Sequence, residues 1–158
     1  MQLSEVVKVN DRFQRSIRVD SDLGDIEIVK GFECPQSSAD VLKTMSQHFH
    51  ETGQAAFTWT GPYGSGKSSL VVTLSALLSH NTKLKNAADK SIGTSTAKEI
   101  QNNFHAKTKK WDVLPIVGHK GDPEASIVDS LKSEGFISEK VKKRKGVECI
   151  KELINNRE

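Results

Sequence analysis

Nine consecutive residues, Gly61-Pro62-Tyr63-Gly64-Ser65-Gly66-Lys67-Ser68-Ser69, carry the most specific chemistry in the chain. They fit the pattern G-x-x-x-x-G-K-[ST], a glycine-rich loop leading into a helix. A triphosphate needs many donors packed around it, and side chains on the loop would block that approach. Gly64 and Gly66 let the backbone curl with its N–H groups pointing inward as an anion nest. The helix that follows adds unpaired N–H groups and the positive end of its dipole. Lys67 supplies a mobile charge that reaches the β- and γ-phosphates. Ser68 offers a hydroxyl ligand to Mg²⁺, and Ser69 can hydrogen-bond an α- or β-phosphate. The bland alternative is a glycine turn that merely caps a helix.

The flanking segments favour the phosphate reading. Ala55-Ala56-Phe57-Thr58-Trp59-Thr60 is aromatic and β-prone after a break at Gly53, so it is expected to be a strand. Ser68 to Leu78 is apolar on most sides and is expected to be a buried helix ending near His80-Asn81. Strand, glycine loop and buried helix is the order the pattern requires.

Upstream, Ile17 and Val19 alternate with Arg18 and Asp20, Asp22-Leu23-Gly24-Asp25 makes a turn, and Ile26 to Val29 resumes. Residues 1–35 therefore suggest a β-hairpin or extended arm. Asp20, Asp22 and Asp25 lack the spacing of a calcium loop and are assigned to a solvated turn. After Pro35, Ser37-Ser38-Ala39-Asp40 has capping-box spacing, and Val41, Leu42, Met45 and Phe49 follow at helical intervals to about Glu51. His48 and His50 fall on different faces of that helix and are assigned as surface histidines, not a metal pair.

Downstream, residues 81–95 are polar and are expected to form a surface loop, with Thr94 or Ser95 capping a short helix through Ile100 to Phe104. Lys107, Lys109 and Lys110 beside Trp111 are taken as a solvated loop end. Val113-Leu114-Pro115-Ile116-Val117 is a second expected strand, although Pro115 removes a ladder donor. Asp122-Pro123 starts another helix, Ile127, Val128 and Leu131 form its buried stripe, and Gly135 stops it. His119 to Asp122 is a connector. The tail holds a basic run from Lys140 to Lys145, assigned to solvent with nucleic acid or acidic phospholipid as the alternative. Val147, Ile150, Leu153 and Ile154 suggest a last amphipathic helix. The domain reading is an arm (1–35), a nucleotide-binding core (36–136) and a basic segment with its helix (137–158).

Composition removes several classes. The chain has 158 residues, 35% of them hydrophobic, with 23 basic against 20 acidic side chains. That is apolar enough for a folded core and too evenly charged for a dedicated nucleic-acid coat. Cys34 and Cys149 form no C-x-x-C pair, so a reduced, cytoplasmic setting is expected. There is no apolar stretch of membrane length and no signal pattern at Met1 to Glu5.

The octet Gly61 to Ser68 is the P-loop, or Walker A, pattern. The stretch Phe57 to Leu70 resembles P-loop ATP-binding proteins of bacterial genomes, and residues 15–129 resemble the opening part of large AAA-like or STAND-like ATPases. The resemblance implies an α/β fold with a parallel sheet flanked by helices, a Mg-ATP ligand, and adenine near Gly31-Phe32. The absence of an N-K-x-D motif also favours ATP over GTP. No acidic residue ends an apolar strand: Val113 to Val117 runs into Gly118, and Asp129 lies inside an expected helix. With one later strand, against about five or six in a typical sheet, the expectation is a Mg-ATP-binding module from the N-terminal part of a larger ATPase. Lys67 is the candidate catalytic group. The partners expected are the missing C-terminal part of that ATPase or further copies of the chain. A small complete phosphotransferase and a nucleic-acid-binding fragment are the rivals.

Overall fold

The computed structural model describes residues 16–106, 111–118, 120–137, 148, 150 and 151. Within them lie the helices α1 (Val19–Asp22), α2 (Ile26–Gly31), α3 (Gln36–Thr52), α4 (Lys67–Leu78), α5 (Thr82–Ile92), α6 (Thr94–Asn103) and α7 (Pro123–Ser133), and residues 148, 150 and 151 are also helical. The chain divides into two compact units, Met1–Asp112 and Val113–Glu158.

No strand occurs among the described residues, which overturns the expected α/β fold with a parallel sheet. Residues 55–60 form no regular secondary structure but do keep a two-residue alternation in burial. Phe57 and Trp59 are half-buried against the helical core, while Thr58 and Thr60 are exposed. The alternation is met by packing on helices. A strand also needs a neighbour to pair its N–H and C=O groups, and no described residue supplies one. Residues 113–117 likewise form no regular secondary structure, with Val113, Ile116 and Val117 exposed.

The hairpin or arm expected at residues 1–35 is also overturned where it is described; residues 1–15 lie outside the described residues. Helices α1 and α2 stand there instead. The Asp25 carboxylate accepts from the Glu27 and Ile28 N–H groups and caps α2. Asp22 is buried, not solvated, and its carboxylate accepts from the Arg18 N–H at 2.8 Å. So few apolar residues fit a period of two or of 3.6 equally well, and the caps decide.

Residues 81–95, expected as a loop, form α5 and the start of α6. Asn81 caps α5 by accepting from the Lys83 and Leu84 N–H groups. Its buried stripe is Leu84, Ala87, Ala88 and Ile92, a helical spacing hidden by two small alanines among lysines and asparagines. Helix α6 occupies nearly the expected span, but neither Thr94 nor Ser95 caps it: Gly93 stands at its N-cap.

Helix α4 is the centre of the first unit. Leu70, Val72, Thr73, Ala76, Leu77 and Leu78 are all buried, and α1, α2, α5 and α6 pack around them. Burial on most sides agrees with its apolar sequence. Helix α3 buries Ala39, Leu42, Met45 and Ser46, whereas Val41 is 47% exposed. Its capping box does not form. Pro35 occupies the N-cap position, and Asp40 instead accepts from the Gln36 side chain. Along α3 and α6, Lys43 and Gln47 both meet Glu99, Ser46 meets Asn103, and Phe49 meets Phe104. Positions rise together, so the two helices run parallel and end side by side.

In the second unit, Asp122 accepts from the Glu124 N–H and Pro123 is the first residue of α7, as the sequence predicts. Val128 and Leu131 are buried beneath Leu114, Ile127, Phe136, Ile137 and Ile150. Gly135, at φ 72°, ends the helix in a Schellman motif: the Phe136 N–H donates to the Leu131 carbonyl and the Gly135 N–H to that of Lys132, both at 2.9 Å. Among the described residues, no helix is long and apolar enough to cross a membrane.

Candidate functional site

Residues 61–66 form an exposed turn that delivers the chain into α4. The Ser65 N–H donates to the Pro62 carbonyl at 3.3 Å and tightens that turn. Gly64 and Gly66 both lie in the left-handed region, at φ 79° and 78°. Gly66 is the N-cap residue of α4, and no side chain caps that end. A residue with a Cβ would be strained there, and a capping serine would occupy the donors that an anion would use. The N–H groups of the first helical turn are thus left for a ligand or water.

Lys67 folds back over this turn. Its ammonium donates to the Gly61 carbonyl at 2.9 Å, the Pro62 carbonyl at 2.7 Å and the Ser65 hydroxyl at 3.2 Å. The charge is therefore held at the mouth of the loop by neutral oxygens, with no carboxylate among these partners. Such a cation can exchange its acceptors for phosphate oxygens without breaking an ion pair. Ser68 and Ser69 follow at the start of α4, both half-buried.

Two aromatic side chains flank the turn. Tyr63 is 93% exposed, and its hydroxyl lies 2.9 Å from that of Ser16. The Phe32 ring approaches Gly66: a Cβ added at that glycine would sit 4.0 Å from Phe32 Cε2. The Phe32 carbonyl accepts from the Ser91 hydroxyl, and the Cys34 N–H donates to the Ser91 carbonyl, so α5 anchors the strap carrying Phe32. Neither Ser16 nor Ser91 bears any sequence signal for this placement.

Other candidate groups are placed elsewhere or not described. Burial pushes the Cys34 thiol above its usual range, which makes it a poor nucleophile. The Arg18 guanidinium hydrogen-bonds Asp20 and holds its carboxyl below the usual range, a local surface pairing. Lys107, Lys109, Lys110, His119 and the basic run from Lys140 to Lys145 lie outside the described residues. Among the described residues, no group of three or more His, Cys, Asp or Glu side chains is arranged to hold a metal ion.

No family model, curated protein or solved structure matches this chain. The resemblance to P-loop NTPases, and to the opening part of AAA-like or STAND-like ATPases, is therefore overturned. In that fold the glycine loop joins a strand of a sheet to a helix, whereas here it joins a segment without regular secondary structure to the central helix of a helical unit. An eight-residue pattern constrains the loop alone; it places no strand beside residues 55–60.

Proposed function

We propose that residues 61–69 bind the phosphates of a Mg-nucleotide, ATP being the expected one. The observation that carries this reading is the Lys67 ammonium, held over a turn with two left-handed glycines at an uncapped helix N-terminus. The donor set suits an anion: N–H groups of the first turn, one mobile cation and two serine hydroxyls. Lys67 would turn from the loop carbonyls to phosphate oxygens, and Ser69 would add a donor. Ser68 would supply a single hydroxyl to Mg²⁺, which a nucleotide brings already coordinated by its phosphates and water. Phe32 and Tyr63 are the aromatic faces beside the loop on which a base can stack.

Binding is the activity these residues support. Hydrolysis would further need a carboxylate to orient Mg²⁺ and a group to activate water. Titration calorimetry of the full chain with Mg-ATP tests the reading. Saturable binding is expected, and Lys67→Ala should weaken it roughly ten- to a hundredfold, the worth of one charged hydrogen bond of about 1.5–3 kcal/mol. A folded chain that binds no nucleotide, or a Lys67→Ala variant that binds as well as the parent, refutes it.

A further inference from the structure

Helix α6 ends in the same hydrogen-bond pattern as α7, with a different residue at its critical position. The Ala106 N–H donates to the Gln101 carbonyl at 2.8 Å, and the His105 N–H to that of Asn102 at 3.0 Å. This is the Schellman arrangement that Gly135 completes after α7. At α6 the left-handed residue is His105, at φ 54°, the one non-glycine with positive φ among the described residues. Glycine takes that conformation freely, whereas a side chain is strained in it. Strain held at a position suited to glycine directs attention to what the side chain does.

The His105 ring lies against His50, with ring centres 5.4 Å apart and planes at 55°. The two residues are on neighbouring helix ends: His50 is in the last turn of α3, and His105 is just past the end of α6. Because α3 and α6 run parallel, their last turns put the negative ends of two helix dipoles side by side. A cation is favoured there. The spacing also suits one metal ion shared by both rings. With metal–nitrogen bonds of about 2.0–2.1 Å and a ring nitrogen about 1.1 Å from the ring centre, two imidazoles on a tetrahedral ion hold their centres about 5.2 Å apart, against 5.4 Å here. Phe49 packs on His105 at 6.5 Å between centres and is itself held by Phe104 and Trp111, which limits how far the His105 ring can drift.

We propose that His50 and His105 form a two-histidine site for a divalent transition-metal ion of the zinc class. Two ring nitrogens bind the ion, and its remaining positions are open to water or to a donor from another molecule. Neutral imidazole is the borderline ligand that zinc, nickel and copper prefer over the oxygen-seeking Mg²⁺. This site is separate from the phosphate loop and stands or falls without it.

The test uses the full chain without a histidine tag, titrated with Zn²⁺ by calorimetry, together with His50→Gln, His105→Gly and, as a control, His48→Gln. His105→Gly keeps the left-handed turn and relieves its strain, so it folds at least as well as the parent and any loss of binding reports the missing ligand. The parent and His48→Gln should bind one equivalent; His50→Gln and His105→Gly should each bind at least about tenfold more weakly. Substoichiometric Ni²⁺ in proton NMR of the parent should broaden the ring signals of His50 and His105 before those of His48 and His80. Absence of saturation at millimolar Zn²⁺, parent-like binding by both variants, or broadening that spares this pair overturns the proposal.

Discussion

Thr73 sits in the middle of α4 with no exposure to solvent, and its hydroxyl oxygen has no hydrogen-bond partner. A buried threonine in a helix usually donates to a carbonyl one turn back, so the unpaired oxygen is a distinct cost. Thr73→Val exchanges that hydroxyl for a methyl of nearly the same shape, with similar helix propensity. Removing an unsatisfied buried hydroxyl recovers about 1–3 kcal/mol of desolvation cost. In a unit of this size, each kcal/mol moves the melting temperature by about 3–6 °C, so a rise of about 3–18 °C is expected. Thr73→Ser is the counterpart: it keeps the hydroxyl, removes a buried methyl and should cost about 1 kcal/mol. Melting followed by circular dichroism at 222 nm should therefore rank Val above Thr above Ser. A Thr73→Val midpoint equal to or below that of the parent would show that the hydroxyl is satisfied in the folded chain, and the reasoning would fail.

Two further substitutions probe the loop and the core. Gly66→Ala puts a side chain at φ 78°, with its new Cβ only in ordinary contact with Phe32, so the cost is backbone strain of about 1–2 kcal/mol and not a clash. Urea unfolding should register that loss, and calorimetry should find Mg-ATP binding weakened more than stability alone explains. Ile100→Ala empties a fully buried site where α6 meets the core and should cost about 2–5 kcal/mol in the same unfolding assay.

Local features were legible in the sequence where local chemistry is sufficient to produce them. The loop from Gly61 to Ser69 was marked by residue type alone, since few residues tolerate its left-handed turns and the lysine follows at a set spacing. Helix α7 was equally plain, because Asp122, Pro123 and Gly135 mark its two ends independently of what packs on it. Helix α4 announced its burial by being apolar on most sides.

The fold class was not legible. Residues 55–60 and 113–117 have strand composition, but a sheet exists only when two such segments pair, and pairing is decided by distant parts of the chain. Residues 17–31 and 81–95 became helices through the Asp25 and Asn81 caps and through burial against α4, neither of which a short apolar pattern announces. The site shows the same division. The sequence by itself determined a glycine-rich turn with a lysine at its end, because backbone freedom and one lysine charge are properties of neighbouring residues. Only the tertiary structure decided that this loop leads into the centre of a helical unit, that Phe32 lies beside it, and that His50 meets His105 across two parallel helix ends. Those are meetings of residues far apart in the chain, and they depend on the packing of helices on one another.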